Sequence, residues 1–310
     1  MFQKPNPLPP NATLGLFAPS GLINVERHEK SVAALEALGF KVVVAPEAFA
    51  QWRYFAGTDE ERLASFHRFL SDPAIDALMM VRGGYGWSRL LNRVDWHLVA
   101  QARKPLIGFS DFTALSLGAL AKSNLITFAG PGAAVDFGGM GDDIEAQAGH
   151  AFTDAHVWPV LRGESMDTGV IECPHGYAAQ RLEGRLWGSN LSLLSDLGGT
   201  PYFPDIEGGL LFVEEIGERP YAVERMFLHL EHLGVLAKQK AILLGGFTDC
   251  DPEEGRFPYS MEHVIETLRE RLSIPVLTNL PFGHVARKLS LPFGGQAELT
   301  ISAGAFSLRY

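Results

Sequence analysis

Cysteine is scarce. The 310 residues hold two, Cys173 and Cys250, far apart and without a Cys-x-x-Cys pair. That excludes a disulfide framework and a cysteine-based structural zinc site, and it fits a reducing compartment. Long apolar runs are also missing: no stretch reaches the roughly 18 residues of a membrane span. The N-terminal MFQKPNPLPPNATLGLFAPSG has no apolar core of signal-peptide type. The expectation is a cytoplasmic protein with no membrane partner. Positive charge is short too, with 26 Lys and Arg against 36 Asp and Glu and a net charge of -10. Nucleic acid needs a basic face, so it is not an expected partner. No HExxH or other spaced ligand set occurs, so neither a metal nor an organic cofactor is expected.

What is present is the composition of a globular enzyme: 46% hydrophobic and 20% charged, enough for a sizeable core. The first half alternates short apolar runs with helical periodicity. TLGLFA (13–18), KVVVA (41–45), IDALMMV (75–81) and 105–109 read as strands. Helices are expected over 26–38, 59–70 and 113–121, with another beginning at 88–91. Such alternation predicts a mostly parallel sheet with helices on both faces. The pattern changes after about residue 135, where DFGGMGDD (136–143) reads as a glycine-rich acidic loop. Strand-like LEGRL, GLLFV (209–213) and 241–245 then alternate with helical NLSLLSDLG, 221–233 and 261–272. The expected fold is α/β: an N-terminal domain of residues 1–155, a linker over 156–180, and a smaller C-terminal α/β domain of residues 181–310.

Four stretches carry chemistry. In LIGFSDFTAL (106–115) Ser110 stands where a strand hands over to a helix. The ordinary role of such a serine is to cap the helix. The chemical one is a nucleophile raised above the sheet edge, with the Asp111 amide and the helix N-terminus turned toward developing negative charge. VRGGYG (81–86) follows a strand but is neither G-x-G-x-x-G nor a Walker A sequence. It is either a plain turn or one whose glycines let a substrate approach and whose N–H completes an oxyanion hole. In LLFVEEIGERPYAVERM (210–226), Glu214 and Glu215 end an apolar strand, so alternation points one into a site and the other to solvent. His284 sits in the loop of LPFGHVARKLSLPFGG (280–295). A hydroxyl nucleophile needs a base, and the base an orienting carboxylate. Residues and spacing alone leave a serine hydrolase and ordinary structural roles both open.

Taken together, these segments resemble the LD-carboxypeptidase family, which includes murein tetrapeptide carboxypeptidases and microcin C immunity proteins. APSG (18–21), RYFAGTDEERL (53–63), RGGYG (82–86), GFSDFTAL (108–115), RLEGRLWGSNLSLL (181–194), LFVEEIGERPYAVERM (211–226), GGFTDC (245–250) and GHVARKLSLPFG (283–294) stand in the family's order. The resemblance implies a two-domain serine peptidase that removes a terminal D-alanine from a murein tetrapeptide. Its nucleophile falls on Ser110, in the N-terminal domain. The orienting carboxylate falls on Glu214 and the base on His284, both in the C-terminal domain, so the site lies in an interdomain cleft. The oxyanion donors fall on the amides of Asp111 and Gly84. A carboxypeptidase must also pair the substrate's free carboxylate; Arg82 is the candidate, against a structural role on loop carbonyls, with Tyr85 beside it in the turn. One departure is visible: Ala129 precedes Gly130-Pro131 where many members have histidine, which bears on a substrate contact and not on the triad. A homodimer is expected by analogy. The alternatives are a microcin-immunity type hydrolase of aminoacyl-nucleotide analogues and a non-catalytic muropeptide-binding protein.

Overall fold

The computed structural model describes residues 2–139, 144–251 and 258–310. In its first half β1 (Thr13–Phe17), α1 (Val25–Ala37), β2 (Lys41–Val44), α2 (Asp59–Ser71) and β3 (Ala77–Met80) alternate as expected. Thr58 and Glu61 form a reciprocal capping box that starts α2. Such caps are worth about 1 kcal/mol each. The helix expected to begin at 88–91 is not an α-helix. Two 3₁₀ turns, Trp87–Arg89 and Leu91–Arg93, run there, and Val94 then turns extended. The α-helix, α3 (Trp96–Ala102), starts only after Asp95 caps it by accepting from the Leu98 amide at 2.9 Å. Next come β4 (Leu106–Gly108), α4 (Phe112–Gly118) with a π-helical turn over Ala119–Ser123, and β5 (Thr127–Ala129).

The second half opens with a helix the periodicity did not reveal, α5 (Ile144–Leu161). It reaches into the stretch 156–180 expected as a linker, which also holds β6 (Ile171–Glu172). Residues 140–143 of the glycine-rich acidic loop lie outside the described residues; Asp136 and Phe137 belong to a π-helical turn, Ala133–Phe137. Then follow β7 (Gln180–Asn190), α6 (Leu191–Leu197), β8 (Gly209–Ile216), α7 (Pro220–His232), β9 (Gln239–Thr248), α8 (Met261–Arg271) and β10 (Val276–Leu277). Three C-terminal strands, unassigned from the sequence, complete the chain: β11 (Leu291–Phe293), β12 (Gly295–Ser302) and β13 (Ala305–Arg309).

These strands make two sheets. The first has the order β11-β5-β4-β3-β1-β2, all parallel except β11, which runs antiparallel to β5. The order reverses between β1 and β3, and in open α/β sheets a ligand crevice forms at such a point, beyond the carboxyl ends of the strands. The loops after β1, β3 and β4 are therefore the ones to inspect. The second sheet, β10-β9-β8-β7-β12-β13-β6, is parallel from β10 to β7 and antiparallel beyond. Its central β8 is buried from Gly209 to Glu215, as expected for a parallel strand covered on both faces. One apolar cluster joins the two sheets, running from Phe17 and Phe112 to Phe212 and Leu308. Among the described residues no helix is long and apolar enough to cross a membrane.

Candidate active site

Ser110 lies between β4 and α4 with φ +59. The left-handed region costs a non-glycine residue of order 1 kcal/mol and persists only where the surroundings impose it. They do so here. The Thr113 amide donates to the Ser110 carbonyl at 2.9 Å and the Phe112 amide to the Phe109 carbonyl at 3.2 Å, so the helix starts at once and the serine is turned outward. The cap residue of α4 is Asp111, without a side-chain cap bond. Helix capping, the ordinary role open to Ser110, is thus not the role it has. Gly83 packs on it: a Cβ there would stand 2.9 Å from Ser110 Cβ and 3.0 Å from Oγ. Only glycine lets the two turns meet this closely. Gly84 follows at φ +113 beside the Tyr54 hydroxyl.

The Asp111 side chain is buried and ties the three loops at this edge together. Its carboxylate accepts from Ser20 Oγ, in the loop after β1, and from the Trp87 amide at 3.0 Å, in the loop after β3. Burial pushes its pKa up to about 6, against the lowering effect of these hydrogen bonds. Behind it the buried Arg62 donates to the Pro19 carbonyl and to Asp59. APSG and RYFAGTDEERL thus owe their place to this scaffold. Sequence reading gave Ser20 and Arg62 no role, because neither is near Asp111 along the chain.

Glu214 and His284 meet. His284 Nδ1 stands 2.8 Å from Glu214 Oε2, and the carboxylate is fully buried while the ring stays partly exposed. An Nδ1–H donated to this carboxylate would leave Nε2 free to accept a proton. Two features hold the histidine loop down on the sheet. Gly283, at φ +122, lies where a Cβ would approach Glu214 Cβ to 2.9 Å. The end of β9 supplies the Gly246 amide to the Phe282 carbonyl at 2.8 Å and Thr248 Oγ1 to the His284 carbonyl at 2.9 Å. This is the structural use of the GGFTDC segment. The His284 ring also packs on Phe109, the neighbour of Ser110, with centroids 5.0 Å apart. The His284 ring and the Ser110 turn are therefore adjacent.

One expectation is corrected. Glu215 does not meet solvent: it is 2% exposed. Alternation does send it to the other face of β8, but α6 covers that face. Its carboxylate accepts from Asn190 Nδ2 at 3.0 Å, the Ser192 amide at 2.7 Å, Ser192 Oγ and the Ile216 amide at 2.9 Å. Burial raises its pKa, with these donors opposing. Arg82 donates Nη1 to the Leu22 carbonyl at 2.7 Å, while Tyr85 is 48% exposed and packs on Phe55 with ring centroids 5.8 Å apart. Ala129 is buried at the end of β5, paired with Gly108 and Leu291. Both cysteines are free and buried. Among the described residues no three His, Cys, Asp or Glu side chains cluster as a metal site would need. A hollow of about 230 Å³ between Trp187, Phe203, Leu233 and Val235 is lined by none of these residues.

The two-sheet α/β fold, a strained serine at a strand-to-helix turn, and a histidine on a buried carboxylate fit a hydrolase of the serine class. Comparison with known proteins makes this specific. Residues 14–130 match the LD-carboxypeptidase N-terminal domain and residues 183–299 the LD-carboxypeptidase C-terminal domain. The murein tetrapeptide carboxypeptidase of Pseudomonas aeruginosa is 33% identical over 299 residues, covering 94% of each chain. The crystal structure of muramoyltetrapeptide carboxypeptidase from Oxalobacter formigenes superposes with a TM-score of 0.87 at 34% identity, over 96% of this chain and 98% of that one. The microcin C7 self-immunity protein MccF of Escherichia coli is 30% identical over 317 residues, covering 93% of this chain and 90% of that one. The chain belongs to the LD-carboxypeptidase family and is a serine-type enzyme of it.

Proposed function

We propose that the enzyme releases terminal D-alanine from a murein tetrapeptide, cleaving the bond that follows the L-configured centre of the diamino acid. The observation that carries this reading is the His284–Glu214 bond, packed through Phe109 against a serine held at φ +59. Ser110 Oγ attacks the scissile carbonyl carbon while His284 Nε2 takes its proton. The oxyanion forms on the amides of Asp111 and Gly84. As the C–N bond breaks, His284 returns the proton to the D-alanine amine. Water then attacks the acyl-enzyme, His284 again takes the proton, and the tripeptide leaves as Ser110 is regenerated. Glu214 holds the imidazole tautomer and stabilises the imidazolium. No metal or organic cofactor enters these steps. Arg82, with donors left over from its bond to Leu22, and Tyr85 bind the substrate's C-terminal end. The setting is the cytoplasmic recycling of peptidoglycan fragments, and the working form a homodimer.

Incubation with murein tetrapeptide in EDTA is expected to yield tripeptide and free D-alanine. Turnover of an aminoacyl-sulfamoyl nucleotide with no turnover of tetrapeptide would replace this reading by the microcin-immunity one. Binding of tetrapeptide without product would make the protein a muropeptide-binding protein. Arg82→Ala is expected to raise KM and to narrow the preference for a free over an amidated C-terminus. Unchanged preference in the folded variant would remove Arg82 from substrate recognition.

A further inference from the structure

Beyond the triad, one buried charged pair touches the same elements. Lys288 stands four residues after His284 in the loop that carries it, and its side chain is 1% exposed. Its ammonium contacts both oxygens of Asp136, at 2.8 and 3.0 Å. Asp136, buried in the turn after β5, also accepts from the Gly132 amide at 2.8 Å. The Lys288 backbone amide is taken by Thr153 of α5 at 3.3 Å. The ammonium lies 3.4 Å from the centroid of the Phe109 ring. That is the ring on which His284 packs, one residue before Ser110.

A buried ion pair is a weak way to gain stability, since desolvating two charges offsets most of their attraction. Its use is geometric. Two oxygens and a ring face hold the ammonium, and the ring's quadrupole attracts the cation to its face. We propose that Lys288, braced by Asp136, is a positioning residue for the reaction: through the Phe109 ring it sets the Ser110 turn against the His284 loop. The proposal rests on Ser110 and His284 being nucleophile and base. It adds that their alignment across the two sheets depends on this pair.

The test uses the full chain with Lys288→Met and with Lys288→Met/Asp136→Leu. The single change leaves a lone buried carboxylate and is expected to lower the thermal midpoint. The double change removes both charges and is expected to restore it. Three quantities are read on the double variant: kcat and KM on tetrapeptide, and the rate at which a small fluorophosphonate labels Ser110. With the midpoint restored, kcat is expected about 100-fold below that of the unaltered chain, the scale of a misplacement near 1 Å. KM should be little changed, and labelling should slow in proportion to kcat. A purely structural pair would leave both rates intact once stability returned, and that result overturns the proposal. Should the double variant not fold, Asp136→Asn decides, because it unbraces the ammonium and leaves the Phe109 ring against His284. The same loss is expected, and full rates overturn the idea. Labelling makes no assumption about the substrate. If the unaltered chain is not labelled at Ser110, the nucleophile reading itself fails, and this proposal with it.

Discussion

Two adjacent carboxylates on β8 have opposite duties, and the difference is one of faces. Glu214 meets the His284 ring, whereas Glu215 satisfies four donors beneath α6. Glu214→Gln is expected to keep the fold and to cut kcat by about 10⁴, because an amide supports the wrong tautomer. Glu215→Gln should act on stability. Replacing an acceptor by an amide nitrogen leaves buried donors unmet at about 1–3 kcal/mol, visible in denaturant melts, while kcat stays close to that of the parent. The reverse ranking would exchange the two roles. Ser110→Ala and His284→Ala should each lose about 10⁴–10⁶ in kcat, and the double variant should be little worse than either, since such residues act as a unit. Steady-state kinetics on the three proteins decide it. Gly283→Ala tests the close approach at Glu214: a methyl 2.9 Å from Glu214 Cβ, at φ +122, should push the histidine off its partner and lower kcat with little change in KM.

Elements differ in how openly the sequence declares them. β1, β3 and β4 were legible because strands buried on both faces are unbroken apolar runs, and α2 because its capping box is local. α5 was not. It is rich in apolar and small residues without a clear stripe, and Gly149 and Pro159 within it look like breaks. β12 does alternate, with Ala297, Leu299 and Ile301 buried, but it follows a glycine-rich loop and was left unread. Ser110, Glu214 and His284 stand out as candidates because each sits at a strand end or turn, while their roles are what the family resemblance implies; nothing in the local pattern pairs Asp136 with Lys288. In α1, His28 adds a test the sequence did not offer. It is 1% exposed, beside Phe49, and neither ring nitrogen has a partner among the described residues. Desolvation lowers its pKa, with Glu29 acting weakly the other way. The folded chain thus holds it neutral to lower pH than the unfolded chain, which protonates near 6.5. Stability is complete above that value and falls below it, by up to about 1.4 kcal/mol per pH unit. His28→Leu is expected to raise the melting temperature more at pH 5 than at pH 8. An equal shift at both would remove His28 from the acid response.

At the scale of the whole molecule the two halves of the chain are interlaced. β11, from the C-terminal part, closes the first sheet on β5. The C-terminal Tyr310 exchanges backbone hydrogen bonds with Met166, and Leu8 at the other end donates to the Leu161 carbonyl at 2.8 Å. A fragment of residues 1–155 keeps the serine yet loses the strand that covers β5. It is expected to associate or remain partly unfolded, as size-exclusion chromatography and circular dichroism would report. A monomeric, cooperatively melting fragment would contradict this.

The same strand has a consequence in time. A ribosome completes β5 at Ala129, but β11 is not made until Phe293, roughly 160 residues and about 10–30 s later at ~5–20 residues per second. Through that interval the nascent sheet carries an open edge, the surface on which neighbouring chains add strands. Its serine meanwhile has no histidine, since the 284 loop is not yet made. Every newborn chain therefore holds Ser110 without His284 and a bare β5 edge over the same interval, until β11, a short strand with Pro292 in its middle, takes over as the edge of the sheet.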